Sequence, residues 1–524
     1  MRVSKNKILS FILLVLMLVI VGCSSETSKK TKENNNNEEG ELRIALSVQP
    51  PSLDQPATSV AVARDLSRLI FETLVTVDST YQVVPSLAES FSVSEEDSKR
   101  YIFHLRKGVK FHNGKEMTAE DAVASMNRWV EKSSATKGIF DGATFEAEDD
   151  YTVVLQLAKP SALTLDTMAS TNMAAAIMPK EVIEAAGDKG VSEYIGTGPY
   201  KFAEWKQDQY IHFTKYDEYQ SLDGKPDGLS GKKEALIKDI HFEIVKDATS
   251  RLVGLQTGAY DFAYTIQYDN YDQLKTDSNL YPVFDPYGQL LIYYNEKNGP
   301  ASDVKMRQAI NTALNIDEVM FPTFTDRDLY TLNSGYMSMN MKKWDSNAGS
   351  EFYNQNNPEK AKKILAEIDY DKEELKIMTT RDYPHFYNAA VIVQEQLSQL
   401  GMNVKLEVYD WPTIMDKQST SGDWDLLVAG SAYVSTPPQL LYISSTFAGG
   451  INDSTTAEML KSIVTSNSEE EATQLWDELQ GYVWEEHVPV TILASYNTLY
   501  GASNNVEGVG IFAGPLFWNT KLVR

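Results

Sequence analysis

Strand-like and helix-like hydrophobic patterns alternate along most of the chain. The segment 42–46, Leu-Arg-Ile-Ala-Leu, has the pattern of a strand, which the prolines at 50–51 end. The segment 99–106 repeats this alternation. After Thr118 the apolar positions follow the period of a helix, and Asp121 at the third helical position predicts a capping box.

The same alternation returns in the second half of the chain. Asn357 and Pro358 are typical first residues of a helix, and a helical apolar stripe follows them. The segment 391–400 predicts a helix that Gly401 ends, and 404–408 predicts a strand. Alternating helices and strands predict an α/β fold. Since 524 residues exceed what one hydrophobic core usually supports, we expect at least two lobes.

The N-terminus has the order of a secretory signal. Basic residues precede an apolar run from Ile8 to Val21, which ends at Gly22 and Cys23. The run is shorter than the roughly 20 residues that span a bilayer, and no later run approaches that length, so we expect no transmembrane segment.

Residues 20–23, Ile-Val-Gly-Cys, resemble a bacterial lipobox. We therefore predict that residues 1–22 are a lipoprotein signal peptide and that Cys23 is lipid-modified. Residues 24–40 contain no apolar side chain, which predicts a flexible tether over 23–40. An ordinary signal peptide, with Cys23 as a buried thiol, is the alternative.

Composition narrows the functional classes. Lys and Arg number 48 against 73 Asp and Glu, a net charge of −25, and so acidic a surface repels the phosphates of nucleic acids. With one cysteine in the chain, an intramolecular disulfide and a multi-cysteine metal site are both excluded.

The common enzyme motifs are missing from the sequence. It contains no G-x-S-x-G, H-E-x-x-H or G-x-x-x-x-G-K-[ST] pattern, and its six histidines are isolated. We predict that the protein is not an enzyme and has no cofactor. A secreted hydrolase stays open as an alternative, because the separation of two catalytic carboxylates is a property of the fold.

Four segments resemble the signature motifs of one family, in the family's order. They are PSLAESFSVSEEDSKRYIFHLRKGVKFHNGKEMTAEDAVASMNRW (Pro85–Trp129), IGTGPYKFAEW (Ile195–Trp205), DVKMRQAINTALNIDEV (Asp303–Val319), and GMNVKLEVYDWPTIMDK followed by GDWDLL (Gly401–Leu427). These motifs are similar to those of the family 5 solute-binding proteins, the extracytoplasmic receptors of ABC importers for peptides and nickel. The resemblance covers the chain from about residue 41 to its end.

The resemblance implies a two-lobed, periplasmic-binding-protein-like clamshell with an inserted third subdomain. Ligand is held between the lobes, and closure around it creates the shape that a permease recognises. We expect lobe I to comprise 41–84, 194–289 and 490–524, the inserted subdomain 85–193, and lobe II 290–489.

The resemblance also implies a function. We expect a membrane-anchored substrate-binding protein that captures short peptides and delivers them to ABC permease transmembrane subunits with their ATPase subunits. We expect a monomer, held by the lipid on Cys23 at the outer face of the bacterial cytoplasmic membrane.

Two charges that peptide-binding relatives use are missing here. In those relatives, an aspartate after the W-D-L-like strand pairs with the peptide ammonium, and a preceding arginine helps to hold the carboxylate. Those positions are Val434 and Val428 in this chain, and Ser431 stands where a tryptophan is common. The ligand must therefore find its counter-charges elsewhere or lack that terminus. A non-peptide ligand, such as a chelated metal, an opine-like compound or a saccharide, is the alternative.

The resemblance points to other residues for the cleft. Glu72 lies in a Phe-Glu-Thr-Leu segment that matches the family's F-E-G-L, and we expect it to serve an ammonium. Arg381 and His385 are placed in the loop before the 391–400 helix, where they could serve an acid group or be ordinary surface residues. The remaining cleft candidates are Tyr287, Gln289, Trp411 and Tyr433, the last filling the space of the missing tryptophan.

Overall fold

The computed structural model describes residues 40–187, 190–420, 422–444, 447–451 and 453–523. The predicted signal peptide, the tether and Cys23 lie outside these residues. No helix in the described ranges is long and apolar enough to cross a membrane.

The strands are, in chain order, β1 (Glu41–Leu46), β2 (Val75–Val77), β3 (Val83–Pro85), β4 (Ala88–Val93), β5 (Arg100–Leu105), β6 (Thr144–Asp149), β7 (Thr152–Gln156), β8 (Tyr200–Lys206), β9 (Tyr210–Lys215), β10 (Asp239–Ile244), β11 (Phe262–Ala263), β12 (Leu280–Tyr294), β13 (Tyr330–Thr331), β14 (Leu375–Thr379), β15 (Val404–Val408), β16 (Leu426–Ala432), β17 (Val490–Ser503), β18 (Val506–Glu507), β19 (Gly510–Ile511), β20 (Pro515–Leu516) and β21 (Lys521–Leu522).

The α-helices are α1 (Ala61–Ser67), α2 (Ala119–Lys132), α3 (Thr164–Met168), α4 (Lys180–Ala186), α5 (Ala248–Gln256), α6 (Tyr271–Thr276), α7 (Val304–Ala313), α8 (Ile316–Phe324), α9 (Pro358–Glu367), α10 (Pro384–Gln399), α11 (Trp411–Ser419), α12 (Ser454–Val464) and α13 (Glu469–Tyr482).

One large sheet runs through the molecule in the order β15-β14-β16-β12-β17-β11-β1-β10-β9-β8, and β13 pairs with β17 outside this path. Its centre is an antiparallel ribbon of β12 and β17, the two longest strands, paired from Leu280↔Ser503 to Tyr293↔Val490. β16 pairs with one end of the ribbon along β12, and β11 pairs with the other end along β17. The ribbon therefore connects two parts of the sheet. The part that contains β16 attaches along β12 at one end, and the part that contains β11 attaches along β17 at the other end.

The pairing of the ribbon is irregular at two places. Its register shifts between Pro286 and Gly288 and again between Leu290 and Leu291. Such bulges bend a strand and raise its local twist. Both shifts lie within a few residues of the predicted change from lobe I to lobe II at 289–290.

A separate four-stranded antiparallel sheet, in the order β4-β5-β7-β6, lies within residues 88–156. Helix α2 packs beside it through an apolar stripe that includes the fully buried Met126 and Trp129. The Trp129 ring meets the Phe140 ring edge-on, with 5.0 Å between their centres. This sheet and helix fall inside the predicted inserted subdomain, 85–193, whose bounds stay a prediction, as do those of the two lobes.

Most elements predicted from the sequence are present. The strands at 42–46, 99–106 and 404–408 correspond to β1, β5 and β15, and Asp121 accepts a hydrogen bond from the Thr118 backbone nitrogen at 3.0 Å. The side chain of Asn357 accepts a hydrogen bond from the Lys360 backbone nitrogen and so caps α9.

The helix predicted over 391–400 begins earlier than expected. Helix α10 starts at Pro384, which occupies its first turn, and its buried stripe begins with Phe386, Ala389 and Ala390. The expected loop position of His385 was wrong, since this residue lies in the first turn of the helix. Proline is well placed at a first helical position because the N–H that it lacks would have no helical partner there.

Candidate ligand-binding site

Aromatic side chains gather where α10 packs against the ribbon. The His385 ring is surrounded by five aromatic rings, with centre-to-centre distances of 4.5 to 6.3 Å. We call this group the aromatic cluster; its other members are Tyr268, Phe324, Tyr383, Phe386 and Tyr496.

His385 is an uncharged member of this cluster at neutral pH. Burial lowers the pKa of its imidazole to about 3, because the cluster offers no water to the charged form. Its Nε2 atom is buried, and no described residue supplies it with a hydrogen-bond partner. As placed, His385 offers a ligand a hydrogen bond but no counter-charge for a carboxylate.

Arg381 and Trp411 lie at the outer side of the aromatic cluster. The exposed Arg381 guanidinium stacks on the Tyr387 ring at 3.9 Å from its centre, and its Nη2 donates to the Tyr387 hydroxyl at 2.6 Å. The half-buried Trp411 ring meets Tyr383 edge-on at 5.4 Å. Its backbone nitrogen donates to Asp382. Arg381, in the loop before α10, is thus held by Tyr387 of that helix, and Trp411 extends the aromatic surface.

The remaining strand candidates differ in what they offer a ligand. Gln289 lies opposite Ser431 on the neighbouring strand, is 2% exposed, and donates through Nε2 to the Gly335 carbonyl at 2.6 Å. Gln289 therefore ties β12 to a neighbouring loop and has no exposed side chain to offer.

Tyr287 is the most accessible of these residues. It is 38% exposed, whereas the half-buried Tyr433 pairs its hydroxyl with that of Ser495 at 2.5 Å. The Tyr433 backbone nitrogen also donates to the Tyr287 carbonyl at 3.2 Å. Burial raises the pKa of the Tyr433 hydroxyl to about 12, so it remains protonated in the physiological range.

Glu72 is buried and fully partnered. Its carboxylate accepts hydrogen bonds from the hydroxyls of Tyr219 at 2.9 Å and Thr197 at 3.0 Å. Lys233, also buried, places its Nζ 3.5 Å from Glu72 Oε1. Because a lysine of the same chain already neutralises Glu72, the structure places no unpaired acid there for a ligand ammonium.

Glu72 and Lys233 line a cavity of about 50 Å³. Other lining residues are Gln55, Arg68, Thr73, Thr76, Ser170, Thr171, Leu229 and Trp518. Lys233 lies 5.0 Å from the centre of the Trp518 ring. The sequence singled out Glu72 but missed Lys233 and Arg68; the only signal for Arg68 was a charged residue in an otherwise apolar stretch before Glu72.

A second, smaller cavity of about 20 Å³ shares the lining residues Ala169 and Thr171 with the first. Lys343 lines it and pairs with Asp166 at 2.7 Å and with Glu469 at 3.0 Å. The pair with Asp166 joins segments that the sequence assigns to the inserted subdomain and to lobe II, whereas the pair with Glu469 lies within the predicted lobe II.

The two valines lie in different settings. Val428 is fully buried in β16, opposite Ile292, so this position faces the interior of the protein and not a cavity. Val434 follows the strand and is half-buried. Within the described ranges, no group of three or more His, Cys, Asp or Glu side chains is arranged to hold a metal ion.

In the comparison with known families, one family model matches well over half of the chain. The model for bacterial extracellular solute-binding proteins, family 5 middle, matches residues 82–453.

Individual proteins resemble the chain over most of its length. The oligopeptide-binding protein AppA of Bacillus subtilis (strain 168) is 27% identical over 506 residues, covering 90% of this chain and 88% of AppA. The ABC transporter substrate-binding protein CtaP of Listeria monocytogenes has a TM-score of 0.81 at 20% identity, covering 93% of this chain and all of CtaP.

Another solved structure is the PBP AgaA of A. tumefaciens R10 in complex with agropinic acid. Its TM-score is 0.73 at 25% identity, and the match covers 92% of this chain and 99% of AgaA. Together, these structural matches confirm the predicted two-lobed, periplasmic-binding-protein-like fold.

Proposed function

Since the chain belongs to the bacterial extracellular solute-binding proteins of family 5, we propose that it is the substrate-binding protein of an ABC importer and captures short peptides between its two lobes. The family consists of binding proteins, so the chain is not an enzyme. The peptide assignment draws on the similarity to an oligopeptide-binding protein over 90% of the chain.

The aromatic cluster is the structural observation that carries this proposal. Aromatic rings give a ligand large apolar faces, and tyrosine hydroxyls add adaptable hydrogen bonds. Such a surface suits a series of peptides that differ in their side chains. Its position beside β12 and β17 allows a bound ligand to contact the ribbon that connects the two parts of the sheet.

The proposal also covers how the protein is anchored to the membrane and how it delivers the ligand to the permease. Lipid on Cys23 would hold the protein at the outer face of the cytoplasmic membrane, because several acyl chains anchor stably where one chain binds only marginally. The 23–40 tether would let the monomeric body reach the transmembrane permease subunits and their ATPase subunits. In the body, the lobes would have the bounds expected from the sequence.

A non-peptide ligand is the second candidate. The missing charges at Val428 and Val434 favour it, since the usual partners of both peptide termini are absent from those positions. The similarity to a protein solved with agropinic acid gives an opine-like compound specific support.

Native mass spectrometry tests the choice between the two. Residues 24–524 are purified from cells without refolding, and the bound material is released under denaturing conditions and identified. Peptides of varied sequence within a narrow length range support the proposal. A single non-peptide mass favours the second candidate, and conversion of a released ligand by the protein would contradict both.

A variant localises the ligand. We expect Tyr287→Ala to weaken binding of the released ligand about tenfold, since an accessible aromatic contact contributes on the order of 1 kcal/mol or more. Tyr210→Ala, on β9 between β10 and β8, is the matched control and should bind as the wild type does. Equal binding by Tyr287→Ala would exclude the accessible Tyr287 ring, which packs on Tyr496 of the aromatic cluster at 5.6 Å, as part of the site.

A further inference from the structure

Arg68 follows the last residue of α1 and uses only one side of its guanidinium within the protein. Its Nη1 donates to the carbonyl oxygens of Phe512 and Ala513, both at 2.9 Å. Its Nε and Nη2 are buried, and neither has a hydrogen-bond partner among the described residues. Buried donors without acceptors are unfavourable, so an acceptor from outside the protein chain would stabilise this arrangement.

The acidic groups near Arg68 are already engaged elsewhere. Asp65 Oδ1 accepts from both Nε and Nη2 of Arg64 at 2.9 Å. Asp285 accepts from the Tyr500 hydroxyl and from the Gly514 backbone nitrogen. These carboxylates offset the charge of the two arginines but leave the Nε and Nη2 donors of Arg68 unpaired.

Arg68 lines the same cavity as Glu72 and Lys233. These are the three charged residues of the cavity lining, and together they carry one net positive charge. Within the lining Lys233 neutralises Glu72. Asp65 and Asp285 offset the charge of Arg68 from outside the lining, so Arg68 contributes unpaired donors rather than excess charge.

Gln55 supplies another unpaired donor to this cavity. Its Oε1 accepts from the Ala174 backbone nitrogen at 3.1 Å, which fixes the orientation of the amide. Its Nε2 is then buried with no partner in the described part of the chain. The unpaired polar atoms of Arg68 and Gln55 are therefore all hydrogen-bond donors.

We propose that Arg68 and Gln55 form a subsite for a carboxylate of the transported ligand. The Nε and Nη2 donors lie on one edge of the guanidinium, and this edge matches the two oxygens of a carboxylate. The cavity of about 50 Å³ has space for such a group, and it shares the lining residues Ala169 and Thr171 with the second cavity. The carboxylate is a peptide C-terminus or the acid group of an opine-like compound. This inference rests on the proposed function.

The subsite is tested with matched ligands on protein stripped of co-purified material. The probes are a set of di- to pentapeptides as free acids, the same set as C-terminal amides, and agropinic acid with its methyl ester. Isothermal titration calorimetry should show that one acid form binds about tenfold to a hundredfold more tightly than its capped form.

Two variants assign that preference to the subsite. Gln55→Glu keeps the acceptor for Ala174 but places a negative charge beside the ligand acid, and Arg68→Lys keeps the charge but loses the paired donors. Both should reduce the preference for the acid form at least tenfold, while Gln273→Glu on the exposed side of α6 leaves it unchanged. A thermal melt identifies any variant that has not folded.

The outcomes separate this inference from the proposed function. Equal binding of acid and capped forms to the wild type overturns the carboxylate subsite and leaves a peptide receptor intact. A preference for the acid that both folded variants retain also overturns it. Failure of every probe to bind contradicts both the subsite and the proposed function.

Discussion

His385 shows at the residue scale how burial decides the chemistry of a side chain. The sequence could indicate a histidine near the cleft, but it could not indicate that aromatic rings from three other parts of the chain help to enclose it. That enclosure depends on Tyr268, Phe324 and Tyr496 approaching from distant parts of the chain.

The lowered pKa of His385 makes stability depend on pH. In the unfolded chain a histidine gains a proton near pH 6.5, whereas in the folded protein it does so near 3. As pH falls from 6.5 towards 3, the unfolded state binds more protons and the folded state loses stability. Between pH 7 and 5 we expect His385 to account for a loss of about 2 kcal/mol.

Urea unfolding of His385→Phe measures that contribution. The variant keeps an aromatic ring but cannot titrate, so it should lose about 2 kcal/mol less than the wild type between pH 7 and pH 5. His112, whose pKa burial also lowers, to about 4, keeps its own pH dependence in both proteins. Identical losses in wild type and variant would show that His385 titrates normally.

The Glu72–Lys233 pair gives a second prediction for single residues. Lys233→Met leaves a buried carboxylate without its cation, and we expect it to lower the free energy of unfolding by about 3 kcal/mol. The double variant with Glu72→Gln should regain most of that loss, because it removes the unpaired charge. Chemical denaturation at pH 7 provides the measurement, and an unaffected single variant would mean that Glu72 does not depend on Lys233.

Sequence reasoning reached Glu72 but not the neighbouring Arg68, and the cause is physical. The acceptors for Arg68 are the carbonyls of Phe512 and Ala513, which lie more than 400 positions further along the chain. These carbonyls pair with Nη1 and leave the other two nitrogens without acceptors within the ranges that the structure describes. Residue type and local pattern carry no information about such partners.

At the scale of elements, local signals predicted the helix starts that carry a side-chain cap better than the one that carries none. Capping residues placed α2 and α9 correctly, because a cap acts within one helical turn. The first turn of α10 was missed because its residues, Pro-His-Phe-Tyr, are also common in loops. Only packing of Phe386 against the sheet makes this turn helical, and packing is a tertiary property.

The close approach of β12 and β16 depends on a glycine. A Cβ atom on Gly288 would lie 1.9 Å from the Ser431 carbonyl oxygen and 2.8 Å from two further backbone atoms of β16. We expect Gly288→Ala to separate these strands and to lower the free energy of unfolding by about 1–3 kcal/mol.

Glycine replacement in a helix is the control for Gly288→Ala. At Gly481 in α13, the nearest atom to an added Cβ is 3.7 Å away, so Gly481→Ala should raise stability by about 0.5–1 kcal/mol. Thermal or urea unfolding of both variants gives the comparison. A neutral Gly288→Ala would show that β12 and β16 can move apart at this position without loss.

At the scale of the whole molecule, the predicted two-lobed fold is confirmed, whereas the predicted lobe boundaries remain expectations. Family motifs reveal the architecture because they record which segments fold together. The side-chain contacts between those segments are not recorded in them. Lys343 is an example, since neither Asp166 nor Glu469 could be assigned to it from the sequence.

Lys343 gives a prediction for the contact between these segments. Its removal leaves Asp166, 10% exposed at its side chain, without a cation. We expect Lys343→Met to weaken the contact between the Asp166 and Lys343 segments by about 2 kcal/mol, below the value for a fully buried pair because some solvent reaches the site.

Small-angle X-ray scattering of the ligand-free protein follows this change. Lys343→Met should have a larger radius of gyration than the wild type, while Lys342→Met, whose side chain is 71% exposed, should not differ from it. A Lys343→Met protein with unchanged dimensions and ligand affinity would show that these ion pairs do not hold the segments together.

The β12–β17 ribbon has a mechanical consequence. Two separate linkers could each twist and swing, but two strands bonded to each other along their length resist shear and twist, and they crease most easily at the bulges around Gly288. Motion of the two sheet parts is then reduced to a single angular coordinate. Ligands of different shape would then differ only in the angle that they set between the two sheet parts. A partner that recognises this angle would respond to all of them in the same way.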